Sequence, residues 1–395
     1  MVKEPTANDE LAQLVDGLEL VDHHCHAVVG HDLDRNAFEL MLGESGRPAP
    51  PGCSTFDTNL GLAVRAWCSS LLDLPAGASA AAYLERRSAL GADDVNARML
   101  AGGARELLVD TGYRSRDLAS LDQLERWSGG PVHEVVRLEA LAETVAASMT
   151  RPGGHVTVSI ASYADAFADA MAERDPVVGW KSVAAYRGGL GLDWRRPGPA
   201  EVRAAAAAWL AAGPVDGPGG SAWRLEDPTL VRHGVWAAID TGRPVQFHTG
   251  FGDADGRLLG SDPALLSDLM AASADIGTPL MLLHCWPHHR GAGHLASLWP
   301  HVYLDVGLAL PHTGHAAPAV LAQALELAPW HKVLYASDAF GLAEYFHLGA
   351  VAHRRALVGA LAALDGQGFD SAELARLGTL VASGNARRVY APLSR

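Results

Sequence analysis

The chain has 395 residues, 49% of them hydrophobic, and a formal net charge of −14 at pH 7. That length suits one large α/β barrel with insertions, or about two to three ordinary domains. The acidic balance without basic clusters argues against a nucleic-acid partner, and no apolar run reaches the roughly 18 residues of a membrane span.

From the N-terminus, Met1 to Glu10 lacks the apolar core of a signal peptide, so a cytoplasmic protein is expected. Eight short runs, β-branched or leucine-rich and mostly bounded by Pro, Gly or polar residues, read as strands. They are Glu19–His24, Glu106–Asp110, Val132–Leu138, Val177–Ala184, Val245–His248, Leu280–His284, Val302–Val306 and Val333–Ser337. Between the first two, from Ala27 to Arg105, the sequence is helical in pattern over Phe38–Leu42, Leu60–Leu72, Ala80–Leu90 and Asp94–Leu100. So long a βα connection is an insertion. At a barrel mouth it forms a lid or substrate wall; an extra packing layer or a contact within a homo-oligomer is equally open. Further on, Pro199–Ala212, Asp227–Asp240 and Asp262–Asp275 read as helices, and Gly213–Gly220 as a Pro/Gly surface connection. Strands alternating with helices argue for a parallel sheet, and eight of them for a closed barrel: one domain, 1–395, a distorted (β/α)8 TIM barrel with a helical insertion over 27–105. The cysteines, Cys25, Cys53, Cys68 and Cys285, show no CxxC pairing, which argues against a disulfide framework or a thiolate zinc site.

Several of these runs end in a metal-ligand residue type. Leu18-Glu-Leu-Val-Asp-His-His-Cys-His26 ends in an HxH pair, and residues two apart on a strand share a face, so His24 and His26 project together with Cys25 turned away. Pro244-Val-Gln-Phe-His248, Pro279-Leu-Met-Leu-Leu-His284 and Lys332-Val-Leu-Tyr-Ala-Ser-Asp338 add His248, His284 and Asp338. Strand C-termini meet at one mouth of a barrel, and imidazole with carboxylate suits zinc, iron or manganese. A lone His after a strand is usually a hydrogen-bonded core or loop residue; the ordered set is what resists chance. Lys181 lies in the fourth apolar run. The chain has only three lysines, Lys3, Lys181 and Lys332, among 31 basic residues, so where any cation would serve it uses Arg. A buried lysine can be neutralised as a carbamate bridging two metals, which Arg cannot form; an interior ion pair with a carboxylate such as Asp338 is the alternative.

This set of HxH on strand one, Lys on strand four, His on strands five and six and Asp on strand eight resembles the amidohydrolase superfamily. The phrases His248-Thr-Gly-Phe-Gly-Asp253, Leu283-His-Cys-Trp-Pro-His288, Ala336-Ser-Asp-Ala-Phe-Gly341 and Lys181-Ser-Val-Ala-Ala-Tyr-Arg-Gly-Gly-Leu190 resemble its FluG/nodulin-like branch. The resemblance covers Leu18 to about Leu348. It implies a distorted TIM barrel with one or two divalent metal ions, held by His24, His26, Lys181, His248, His284 and Asp338. Asp338 would also move the proton of the attacking water. No organic cofactor is expected; the partner is a small-molecule substrate.

The chemistry that follows is metal-dependent hydrolysis, with metal-activated water attacking an amide, lactone or ester carbonyl. The resemblance also extends to nonheme diiron monooxygenases on this barrel, acting on large, CoA-linked substrates; the extra histidines near the mouth and the long insertion would suit that reading. Around the ligands, Arg187 is a candidate clamp for a substrate carboxylate or phosphate, with a structural role equally open. Trp286, His288 and His289, and likewise His312 and His315, either line the pocket or pack. Glu344 contacts substrate, caps a helix or lies on a solvated face. Asp22 and Asp305 are acids available to the imidazoles' outer nitrogens.

Overall fold

Most of the short strands are buried on both faces, and this decides the architecture: one set of side chains faces an outer ring of helices, the other fills the interior of a curled sheet. The computed structural model describes residues 7–113, 117–151, 155–156, 163–174, 177–217, 220–390 and 393. Seven parallel strands follow one another in sequence order: β1 Val21–Cys25, β2 Glu106–Asp110, β3 Val132–Arg137, β4 Gly179–Ser182, β5 Val245–His248, β6 Leu280–Leu283 and β7 Val302–Leu304. On β5, Val245 and Phe247 pack outward among the helices, while Gln246 and His248 point inward. Val21, Leu108, Val135, Met281, Leu283 and Leu334 form a floor inside the barrel, sealed by Tyr390 near the C-terminus.

The eighth position differs from the strand expected at Val333–Ser337. The segment lies between β7 and β1, but its backbone makes isolated contacts in place of a ladder. The Leu334 N–H donates to the Leu304 carbonyl at 3.0 Å, and the His23 N–H donates to the Tyr335 carbonyl and the Asp338 N–H to the His24 carbonyl at 3.1 Å each. The reason is a buried carboxylate. Asp22 on β1 accepts the Ser337 N–H at 2.9 Å and the Ser337 hydroxyl at 2.5 Å, doing with a side chain what a ladder would do with carbonyls. Gly307 is required at this seam, since a Cβ there would run into the Ala336 carbonyl. The ring is a TIM barrel distorted at its closure.

The stretch 27–105 is helical as expected, over Arg35–Met41, Asn59–Ala63, Ala80–Leu90 and Ala92–Ala101, with a continuous π and 3-10 run through Val64–Leu72. Its apolar side chains share one core with β1, β2 and the helix Glu344–Asp365: Phe38 stacks on Phe56 with ring centroids 5.5 Å apart, and Tyr83 closes the trio. Burying each ring contributes about 2 kcal/mol. Gly213–Gly220 is more than a plain connection, because Val215–Gly217 pairs antiparallel with Gly220–Ala222. No described helix is long and apolar enough to cross a membrane.

Glu344 has neither a substrate nor a solvent role. It opens the helix Glu344–Asp365, is fully buried, and its Oε1 accepts from Arg87 Nε at 2.9 Å and Tyr83 OH at 3.0 Å. This pair ties the insertion to the barrel. Removing one partner of a buried pair leaves an uncompensated charge, so Arg87→Met is expected to cost about 3 kcal/mol in urea unfolding, and the double change with Glu344→Gln to recover part of it. A single-variant loss within about 0.5 kcal/mol, the scale of an ordinary surface change, would show that the pair does not anchor the insertion.

Candidate metal centre

Three side chains from the two ends of the barrel sequence meet at the mouth. His24 and His26 leave β1, and Asp338 follows the closing segment; their ligand atoms lie within 4.8 Å of one another. His24 Nε2 is 3.1 Å and His26 Nε2 3.6 Å from Asp338 Oδ1, and His284 Nδ1 is 3.6 Å from Asp338 Oδ2. Lys181, inward on β4, places Nζ 3.4 Å from His24 Nε2. His248 stands beside His284, ring centroids 4.7 Å apart, but its Nε2 bonds the Tyr186 hydroxyl at 3.0 Å.

Backbone geometry is strained here. His284 and Asp338 hold φ of 67° and 50°, left-handed values that cost a non-glycine residue on the order of 1 kcal/mol or more. Asp305, at the end of β7, holds His284 there by accepting its N–H at 3.0 Å, and also accepts the Gly307 N–H at 2.9 Å. Asp22 and Asp305 are thus backbone anchors, not acceptors for the rings of His24 or His26. Those acceptors are Gln246 Oε1, 2.8 Å from His24 Nδ1, and the Asp110 carbonyl, 3.1 Å from His26 Nδ1. Gln246 was missed from sequence, yet the signal was present: it lies two residues before His248 on an apolar strand, on the same inward face.

The electrostatics keep the imidazoles neutral. Burial, helped by the Lys181 charge, pushes His24 well below its ordinary value; burial does the same to His248 and His284, and takes His26 to about 4. Burial lowers Lys181 to about 8 against the pull of Asp110 and Asp338, and raises the Asp338 carboxyl well above the carboxylate range. For Asp110, burial works upward but the Arg137 guanidinium outweighs it and holds the carboxyl at about 2.

The donor set fits a divalent cation. Among the described residues, both ring nitrogens of His284 and Asp338 Oδ1 are buried without a hydrogen-bond partner. Such groups are costly unless something else meets them, and neutral imidazoles with a carboxylate are what zinc, manganese or iron require.

A cavity of about 430 Å³ opens over this cluster, reached by His26, Lys181, His248 and Asp338. Tyr113 and Phe340 flank His26, with ring centroids 6.0 and 5.9 Å away. Arg187 lines the cavity. Trp286 and His288 are not among its lining residues: Trp286 packs edge-on against Phe251 at 5.4 Å, and His288 lies 3.5 Å from Asp262. His289 bonds Gln323 at 2.8 Å, His312 stands 3.7 Å from Glu44, and His315 is exposed. The turn after β6 carries Trp286, His288 and His289 away from the cavity, while His312, in the helix after β7, stands behind its lining residues Glu44 and Tyr345.

An amidohydrolase family model matches residues 21–391 of the chain. Protein fluG of Emericella nidulans is 31% identical over 278 residues, which are 65% of this chain and 31% of that protein, so this chain matches about a third of that relative's length. A crystal structure from Lactobacillus casei, described as a metal-dependent hydrolase, superposes with a TM-score of 0.78 at 29% identity, over 96% of this chain and 97% of that one. A uronate isomerase from Bacillus halodurans superposes with a TM-score of 0.61 over 97% and 95%; at 12% identity this likeness is one of fold. The match over nearly the whole length means that the chain belongs to the amidohydrolase family.

Proposed function

We propose that the chain is a metal-dependent hydrolase that cleaves an amide, lactone or ester of a small molecule. The observation that carries this is the convergence of His24, His26 and Asp338 on one point beside a buried, partnerless His284. His24, His26, Lys181, His248, His284 and Asp338 hold one or two divalent ions, zinc, manganese or iron. A divalent ion there lowers the pKa of water toward about 7 and polarises a carbonyl.

The chain's own residues do the rest. Gln246 and the Asp110 carbonyl fix the rings of His24 and His26. The water oxygen bonds to the substrate carbonyl carbon, and Asp338 accepts the water proton at its carboxylate. The carbon–nitrogen or carbon–oxygen bond then breaks, and Asp338 returns the proton to the departing atom. The insertion 27–105 serves as the substrate wall, since Ala37, Met41 and Glu44 reach the cavity.

Elemental analysis of protein purified without added metal tests the reading: zinc or manganese with turnover independent of oxygen supports it. Two irons with oxygen consumption would replace it by monooxygenase chemistry. His248→Ala is expected to lower metal affinity by at least about 10–100-fold and activity with it, while Tyr186→Phe, which removes only the phenol bonded to His248, keeps its metal. Full occupancy and unchanged turnover in His248→Ala would take His248 out of the ligand set.

Lys181 decides the number of metals. If it bridges two ions as a carbamate, Lys181→Arg keeps the charge but must lose metal, because guanidinium cannot be carboxylated. Metal per protomer in wild type and variant is the measurement. A fall from two to one or none is expected; unchanged stoichiometry with good activity refutes the bridge.

A further inference from the structure

The cavity above the ligand cluster is charged unevenly. Three guanidinium groups line it: Arg137 at the end of β3, Arg187 after β4, and Arg224 ahead of the helix Pro228–Asp240. Glu44 and Asp253 line it too; they act on each other and on Asp338, so that region repels an anion.

The protein does not occupy the three arginines equally. Asp110 takes Arg137 through Nε at 3.1 Å and Nη2 at 2.6 Å. Arg187 is as buried, each side chain being 11% exposed, but has one carboxylate bond, from Nη2 to Glu143 Oε1 at 2.9 Å. That oxygen is shared with the Leu225 N–H, and among the described residues Arg187 Nε is buried with no hydrogen-bond partner. Burial depresses Arg187, the nearby Arg224 and Arg137 add to this, and burial raises the Glu143 carboxyl, so the pair compensates itself poorly. Arg224 is engaged through Nε with Glu226 Oε1 at 2.6 Å and through Nη2 with the Tyr186 carbonyl at 3.2 Å, which leaves the Arg187 Nε as the buried donor without a partner. A guanidinium with a free N–H in a poorly solvated wall matches a carboxylate. At about 430 Å³ the cavity lies at the lower end of small-molecule sites.

We propose that the substrate carries a carboxylate, which Arg187, backed by Arg224, binds while the bond to be cleaved lies over His24, His26 and Asp338. The position of the cleaved bond rests on the hydrolase reading above; the carboxylate site stands on the arginine wall.

The experiment is a binding panel by calorimetry on the protein with the metal it is purified with. Short linear carboxylates from acetate to hexanoate are each compared with their primary amides. The panel is repeated on chelator-treated protein and on the Arg187→Lys and Arg224→Gln variants, with metal per protomer and Tm recorded for each. At least one carboxylate is expected to bind about tenfold or more tightly than its amide. The preference should persist after chelation and fall by about tenfold in Arg187→Lys, which keeps the charge but loses the fork, with metal content and Tm unchanged. Arg224→Gln changes a side chain that is 40% exposed and is expected to weaken the same carboxylate severalfold; it becomes the deciding variant if Arg187→Lys does not fold. No carboxylate outbinding its amide overturns the proposal. So does a preference that disappears on chelation yet survives in the arginine variants, for the carboxylate then sits on the metal. Protein without metal but with an intact carboxylate preference sinks the hydrolase reading and leaves the arginine site standing.

Discussion

The site depends on one buried carboxylate that touches no substrate. Asp22 joins β1 to the closing segment through the backbone N–H and hydroxyl of Ser337, bonds worth about 1.5–3 kcal/mol each when the acceptor is charged. The next residue is Asp338, whose N–H reaches back to the His24 carbonyl at 3.1 Å. Asp22 thus works with the backbone bonds that continue past it, from the His26 N–H to the Ala339 carbonyl at 2.7 Å and from the Val29 N–H to the Gly341 carbonyl at 2.9 Å, to set the distance between the first histidine and the carboxylate.

A second layer fixes which nitrogen faces the mouth. The Gln246 amide spends its N–H bonds on the His23 carbonyl at 2.7 Å and the Tyr390 hydroxyl at 2.9 Å. Its carbonyl oxygen is then the atom that meets His24 Nδ1, so Nδ1 carries the hydrogen and Nε2 offers its lone pair toward Asp338 and Lys181. Tyr390 in turn donates to His23 Nδ1, 3.1 Å away, which leaves the His23 Nε2 hydrogen for Asp305 Oδ2 at 3.1 Å. One chain of bonds thus runs from the floor of the barrel to the candidate ligand, with each donor matched to an acceptor.

Much of this was legible in the sequence, because strand ends are readable. Apolar runs that stop at His24, His248, His284 and Asp338 say both that a strand ends and what it carries, and a lone inward lysine stands out where Arg is the habit. The order of the barrel strands followed from the alternation alone. What was not legible depends on partners far away in sequence. Nothing near Glu344 announces Arg87, and nothing near Ser337 announces that Asp22 will replace a ladder. Trp286 and His288 follow His284 in sequence but leave it in space, since a turn with His284 and Cys285 at φ of 67° and 57° carries the chain off. The arginine wall gathers Arg137 from the end of β3 and Arg187 and Arg224 from the long connection after β4, so only the pairing of those two strands brings it together.

The left-handed backbone at His284 and Asp338 is a cost that persists only where the surroundings over-determine it. They do so in the same way twice. A buried acid holds the main chain, Asp305 at His284 and Asp22 at the residue before Asp338, while an apolar floor of Val21, Leu108, Met281 and Leu334 supplies the burial beneath. Because the backbone is pinned by acids that face inward, the main chains at these two residues do not rely on their own side chains. Both ring nitrogens of His284 and Asp338 Oδ1 are among the buried polar atoms without a hydrogen-bond partner, and these atoms are left to meet whatever the cavity holds.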